Sequence, residues 1–70
     1  MTTEEKIRLI EKILRESPNS LTGDTKLTSV GSWDSLNILN LQIELSAINP
    51  GIQFDNLYSC DTVRDICNMV

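Results

Sequence analysis

Ser35 is the residue whose surroundings most clearly invite chemistry. It stands in Gly31-Ser32-Trp33-Asp34-Ser35-Leu36, where a long polar loop gives way to the most apolar helical stretch of the chain. A hydroxyl at a helix start lies beside backbone N–H groups that have no intrahelical acceptor, and at the positive end of the helix dipole. An anion is favoured there, so the expected chemistry is a covalently held phosphate ester. Nucleophilic catalysis has no support. The chain contains no histidine, so neither a Ser-His-Asp nor a Cys-His arrangement can be assembled. Ser29 and Ser32 are competing hydroxyls, but neither has aspartate before it and leucine after it.

Cys60 and Cys67, without histidine, are too few for a zinc site. They read as free thiols of a cytoplasmic protein. Cys67 is expected to be buried and inert on a helix face, and Cys60 to lie in the preceding loop. Their spacing does not favour the close approach of a disulfide. Paired carboxylates remain, but so small a helical chain offers little room for a concave pocket, and no enzymatic activity is expected.

The 70 residues are read as a single domain spanning 1–70, near the lower size at which a core holds without staples. Apolar residues make up 40% and aromatics 4%, so the core must be built of Ile, Leu and Val. The net charge of −4 argues against a nucleic-acid partner, because like charges repel. No apolar segment reads as a signal peptide or a membrane span.

Four helical segments must position the serine. The first starts near Thr3, with Thr2 as N-cap and Glu5 completing a capping box. Ile7, Leu9, Ile10, Ile13 and Leu14 share its core side. Glu4, Arg8, Glu11 and Arg15 are assigned to a solvated face of mixed charge. Ser17-Pro18-Asn19 ends the helix, because a residue before proline avoids the helical region. The connection over 17–34 is long for so small a chain. Leu21, Leu27, Val30 and Trp33 are expected to pin it across the helices, with a short helical turn near Asp24 to Leu27.

The second helix is expected from Ser35 to Ile48, with Asp34 as N-cap and a hydrophobic staple between Trp33 and Ile38. Asn49-Pro50-Gly51 stops it. A short extended piece, Ile52-Gln53-Phe54, leads to a helical turn over Asp55 to Ser59 capped by Asp55. The last helix is expected over Thr62 to Met69, capped by Asp61, with Val63, Ile66, Cys67 and Val70 on one face.

Projected at 100° per residue, the second helix carries two apolar stripes. Ile38, Leu41, Leu45 and Ile48 form the core stripe. Leu36, Asn40, Ile43 and Ala47 fall almost opposite, with Leu39 at their edge. Either this helix is central and buried all round, or the second stripe is an exposed strip for a partner. Solvent access at Ile43 separates the two readings.

Taken together, these residues resemble the acyl carrier proteins, a phosphopantetheine-binding carrier family, over nearly the whole chain. Asp34-Ser35-Leu36 opening an apolar helix is similar to the family's Asp-Ser-Leu signature. Leu21-Thr22-Gly23-Asp24-Thr25-Lys26-Leu27 is similar to its Ile-Thr-x-Asp-Thr-x-Phe loop. Asp61-Thr62-Val63-Arg64-Asp65-Ile66 is similar to the Thr-Thr-Val segment that opens its last helix. The resemblance implies an all-α four-helix bundle with three longer helices and one short helix. It implies that a phosphopantetheinyl transferase attaches 4′-phosphopantetheine from coenzyme A to Ser35, flanked by the signature neighbours Asp34 and Leu36. The arm then carries acyl groups as thioesters between acyl-loading and acyl-using enzymes. The carrier is a substrate of those enzymes, contributes effective concentration, and is expected to be a monomer without a metal.

The chain departs from that family's pattern in two ways. Acidic positions along the second helix are replaced by Asn37, Asn40, Ser46 and Ala47, leaving Glu44. Partner docking is therefore expected to rest on Leu36, Asn40, Ile43 and Ala47 more than on charge, and a dedicated pathway, such as a secondary-metabolite or surface-polymer cluster, is as good a home as general fatty-acid synthesis. In addition, Gly31 lies one residue further from the aspartate than is usual, and Trp33 precedes it as in freestanding carriers of specialised pathways. The Gly-Gly-His-Ser form of many peptidyl carriers is absent. The alternative is a helical protein-interaction module that uses the second stripe and carries no prosthetic group, and a third reading is a retired carrier whose partners no longer modify it.

Overall fold

Helix α1 (Thr3–Leu14) begins where the Thr2–Glu5 pair dictates in this computed structural model, which describes residues 1–70. Thr2 Oγ1 accepts the Glu5 N–H at 3.1 Å, and Glu5 Oε1 accepts the Thr2 N–H at 2.9 Å. These reciprocal bonds hold the Glu5 carboxyl below its ordinary value. The helix ends before the proline acts. Arg15 turns left-handed at φ 60°, and the Glu16 N–H donates to Glu11 O at 2.8 Å, closing the terminus in a Schellman-type turn.

The remaining helices are α2 (Ser35–Leu45), α3 (Phe54–Tyr58) and α4 (Val63–Cys67), with a 3₁₀ turn at Leu27–Ser29. The fold is all-α with four α-helices and no strand, as expected. Its core is aliphatic. Ile10, Leu14, Leu27, Ile38, Leu41, Leu45, Leu57, Val63 and Ile66 are its fully buried large side chains. Burying one such side chain is worth about 1.5–3 kcal/mol, so every helix is held chiefly by its apolar stripe. No helix is long and apolar enough to cross a membrane.

Several boundaries differ from the sequence reading. Helix α2 stops at Leu45 rather than Ile48. Residues 46–48 form a turn in which Ile48 N–H reaches Leu45 O at 2.9 Å, and Ile48 leaves the core stripe and stands exposed. The 3₁₀ turn lies at 27–29 and not at 24–27. Asp55 does not cap α3; Gln53 does, with its N–H donating to Asn56 Oδ1 at 3.1 Å. Thr62, not Asp61, caps α4, and Asp65 Oδ2 accepts the N–H groups of Asp61 and Thr62 at 3.0 Å each. That helix also ends early. Met69 N–H and Val70 N–H bond to Ile66 O and Cys67 O in a tight terminal turn, so the bundle has two longer helices and two short ones.

The expectation for Glu11 fails outright. It is not on a solvated face but 2% exposed. Its carboxylate faces the loop that follows α1, accepting the Asn19 N–H at 3.1 Å and the Leu21 N–H at 2.8 Å. Arg8 lies alongside, with its Nε 3.3 Å from Glu11 Oε1 and its guanidinium donating to Leu21 O at 3.0 Å and to Asn19 Oδ1. A buried charge is tolerated when it is paired and hydrogen-bonded, and this one anchors the loop. Leu21, Leu27 and Val30 are buried and Trp33 packs half-buried against the core, as expected.

The loop is also zipped to the start of α4. Leu27 N–H donates to Asp61 O at 2.9 Å, Val63 N–H to Thr25 O at 3.1 Å and Arg64 N–H to Gly23 O at 3.0 Å. Lys26 Nζ meets Asp61 Oδ2 at 2.8 Å, and Arg64 Nη1 meets Asp24 Oδ1 at 2.5 Å. The two segments similar to carrier flanks are therefore partners in space, and the loop delivers its far end to the start of α2 along a fixed path.

Candidate functional site

The start of α2 is built by Asp34. Its backbone is extended (φ −133°, ψ 172°), and its Oδ1 accepts the Asn37 N–H at 2.9 Å while its carbonyl takes the Ile38 N–H at 2.8 Å. Ser35 is thereby the first residue of an eleven-residue helix. The N–H groups of Ser35 and Leu36 have no acceptor within the chain, and the Ser35 residue is exposed.

Asn37 fixes the approach to the serine. Its Nδ2 donates to Ser32 O at 2.8 Å and lies 3.4 Å from Asp34 Oδ2. Trp33 N–H reaches Val30 O, and Asp34 N–H reaches Ser32 O, both at 3.0 Å. The chain over 30–34 is thus tied at Val30, Ser32, Trp33 and Asp34, so Ser35 is presented rather than left on a free loop. Sequence reasoning counted Asn37 only as a lost acidic position. Its bonds depend on how the loop curls back, which helical periodicity does not reveal.

Ser35 stands at the edge of a surface groove of about 390 Å³ shared with Thr28, Trp33, Ile38, Tyr58 and Cys60. Trp33 and Ile38 border the same groove, as their staple spacing implied. Tyr58, exposed on α3, stacks on Phe54 with ring centroids 5.9 Å apart and planes at 23°. Sequence reasoning missed Tyr58 and Cys60, because only the packing of α3 against α2 brings them to Ser35. Burial, with some help from the Asp65 charge, pushes the Cys60 thiol up to about 11, and its Sγ donates to Asn56 O at 3.3 Å. Cys67 is buried and its thiol is also raised by burial; both cysteines are free. Neither is a reactive thiolate.

The outer face of α2 is apolar and open. Leu36 is 76% exposed and Ile43 59%, with Leu39 exposed between them. This favours the exposed strip over a helix buried all round. Asn40 is exposed on the same side, and Ala47 is exposed in the turn beyond Leu45. Glu44 is the single acidic residue within α2.

The chain matches the family described as phosphopantetheine attachment site over residues 7–70. It belongs to that family. No curated protein and no solved structure matches it. The chain is thus a phosphopantetheine carrier, of a family whose prosthetic group is a covalently attached 4′-phosphopantetheine.

The residues of this carrier fit such a group. An exposed serine, two unpaired N–H groups and a helix dipole meet at one point, which suits a phosphodiester. The groove beside it, bordered by Trp33, Ile38, Tyr58 and Cys60 as well as by the polar Thr28 and Asp34, suits an arm lying along the surface. When bound, the group supplies a terminal thiol on a flexible arm.

Proposed function

We propose that the chain is an acyl carrier protein whose attachment residue is Ser35. The observation that supports this is the exposed Ser35 hydroxyl on the first residue of α2, with free N–H groups beside it. Asp34 holds the helix start in shape, and Leu36 begins the docking strip. A phosphopantetheinyl transferase loads Ser35 from coenzyme A, and acyl-loading and acyl-using enzymes then meet the same face through Leu36, Asn40, Ile43 and Ala47. The protein performs no bond chemistry of its own. Tethering keeps a thioester cargo at high local concentration beside each enzyme. The scarcity of acid on α2 supports a dedicated pathway, and residues 1–70 work as one monomeric carrier domain in the cytoplasm.

Intact mass after incubation with coenzyme A and a broad-range phosphopantetheinyl transferase tests this reading. The expected result is a gain of one phosphopantetheine that disappears in Ser35→Ala. No gain with several transferases overturns it and favours the helical interaction module or a retired carrier that its partners no longer modify.

A further inference from the structure

A chain with net charge −4 still has two cations with no ionic or hydrogen-bonding partner, and both stand beside the apolar strip of α2. Four of the six are engaged. Lys6 Nζ donates to Cys67 O, Arg8 to Leu21 O and Asn19, Lys26 meets Asp61, and Arg64 meets Asp24. Lys12 and Arg15 have no such contact. They border a groove of about 310 Å³ between α1 and α2, together with Leu9, Ile13, Asn40 and Glu44.

Asn40 adjoins the exposed strip, since it follows Leu36 by one helical turn, and Glu44 follows Asn40 by another. Across the polar rim of Asn40 and Glu44, the half-buried Leu9 and Ile13 of α1 form a second apolar patch beside the strip of Leu36, Leu39 and Ile43. Lys12 and Arg15 close the far side of this surface, and Glu44 is the one carboxylate on it. We propose that the α1–α2 face docks a partner protein whose contact surface is apolar at its centre and carries carboxylates at its edge. The proposal rests on the reading of α2 as the docking face and assigns the chemistry of what docks there. Lys12 and Arg15 pair with the partner's carboxylates, while the aliphatic residues supply most of the buried area. A membrane fits less well, because anionic lipid surfaces are held by clusters of about four to eight cations, and this rim offers only Lys12 and Arg15.

Two synthetic amphipathic helical peptides test this. Both have a leucine face; one has glutamates along its edges and the other lysines. Amide shifts of the isotope-labelled, transferase-treated protein are followed during titration. The glutamate-edged peptide is expected to bind at least about tenfold more tightly and to shift residues 9–15 and 36–44. In the double variant Lys12→Glu with Arg15→Glu, the preference is expected to reverse. Both side chains lie on exposed residues, and an unchanged helical circular dichroism spectrum checks the fold. Equal binding, a lysine preference, no binding by either peptide, or shifts confined to Lys26 and Arg64 each overturn the proposal. Shifts at 9–15 and 36–44 produced by anionic phosphatidylglycerol vesicles, and not by the acidic peptide, overturn it in favour of a membrane surface. The mass of the same sample reports separately whether Ser35 is loaded, so failure here is distinct from failure of the carrier reading.

Discussion

Glu11 Oε2 accepts the backbone N–H of Leu21 at 2.8 Å, tying the third turn of α1 to the loop that leads to the site. The same carboxylate takes the Asn19 N–H, so a single side chain satisfies two donors of a segment with no regular structure of its own. Removing it leaves the Leu21 N–H buried without a partner, which costs about 1–3 kcal/mol, and forfeits charge-assisted bonds. Glu11→Ala is therefore expected to lower unfolding free energy by about 2–4 kcal/mol, with Glu11→Gln losing less because one acceptor survives. Urea denaturation followed by circular dichroism measures both. A loss under ~0.5 kcal/mol for the alanine variant shows that water replaces the carboxylate.

Asp34 and Asn37 act as a unit at the start of α2. Asp34→Ala is expected to cost about 1 kcal/mol through the lost N-cap. Asn37→Ala is expected to cost a similar amount through its bond to Ser32 O. Because Asn37 also touches Asp34, the double variant should lose less than the sum, by at least ~0.5 kcal/mol. A double-mutant cycle from denaturation midpoints gives the coupling directly. Strict additivity means that the two residues hold the loop independently.

Acid should loosen the start of α4. The Thr62 and Asp61 N–H groups hold the Asp65 carboxyl below its ordinary value of 3.8. A carboxyl lowered in the folded state stabilises fully above its unfolded value, and that contribution is lost as pH falls through the lower, folded value. Stability should therefore be level above about pH 5 and decline below about pH 4. Asp65→Asn should flatten part of this decline, and Glu5→Gln should flatten another part, since Glu5 is lowered in the same way at α1. Denaturation curves at pH 6 and pH 3 compare the slopes. An unchanged acid dependence in both variants refutes the assignment.

The Cys60 thiol, with its value near 11, should alkylate slowly. At pH 8 about one molecule in a thousand carries the thiolate, and the rate should climb about tenfold per pH unit until the thiol ionises. Iodoacetamide labelling followed by mass reads this, with Cys67 slower still because it is buried. A phosphopantetheine thiol on the loaded carrier should react first. Fast labelling of Cys60 at neutral pH contradicts the burial that raises it.

Docking through α2 should depend on apolar area. Leu36 and Ile43 are exposed, so Leu36→Asp and Ile43→Asp should leave stability within about 0.5 kcal/mol while weakening turnover by partner enzymes several-fold. Raising salt until the Debye length falls from ~10 Å to ~3 Å should change partner affinity by less than about tenfold. A steeper loss means that charge pairs, and not the apolar strip, supply most of the affinity.

Helix periodicity made Ile7, Ile10, Leu14, Ile38, Leu41 and Leu45 legible as core, because each lies on a regular stripe whose burial is the main driving force. The capping signals at Thr2 and Asp34 were equally legible, being local in sequence. Most of what failed was non-local, and one helix end was misplaced. Glu11 looked solvated because its position on α1 says nothing of the loop folding over it. Ile48 looked buried because its stripe was extended past the true helix end. Asp61 looked like a cap from its residue type, whereas its carboxylate is taken by Lys26 across the fold and Thr62 caps the helix.

By itself, the sequence determined an aliphatic four-helix chain with an Asp-Ser-Leu start to its second helix, since stripes and caps are encoded over a few neighbouring residues. The tertiary structure alone decided that the loop is tied to Glu11 and to the start of α4, that Tyr58 and Cys60 flank Ser35, and that Lys12 and Arg15 border the strip of Leu36 and Ile43. Those relations join residues distant along the chain, and only the packing of the core brings them together.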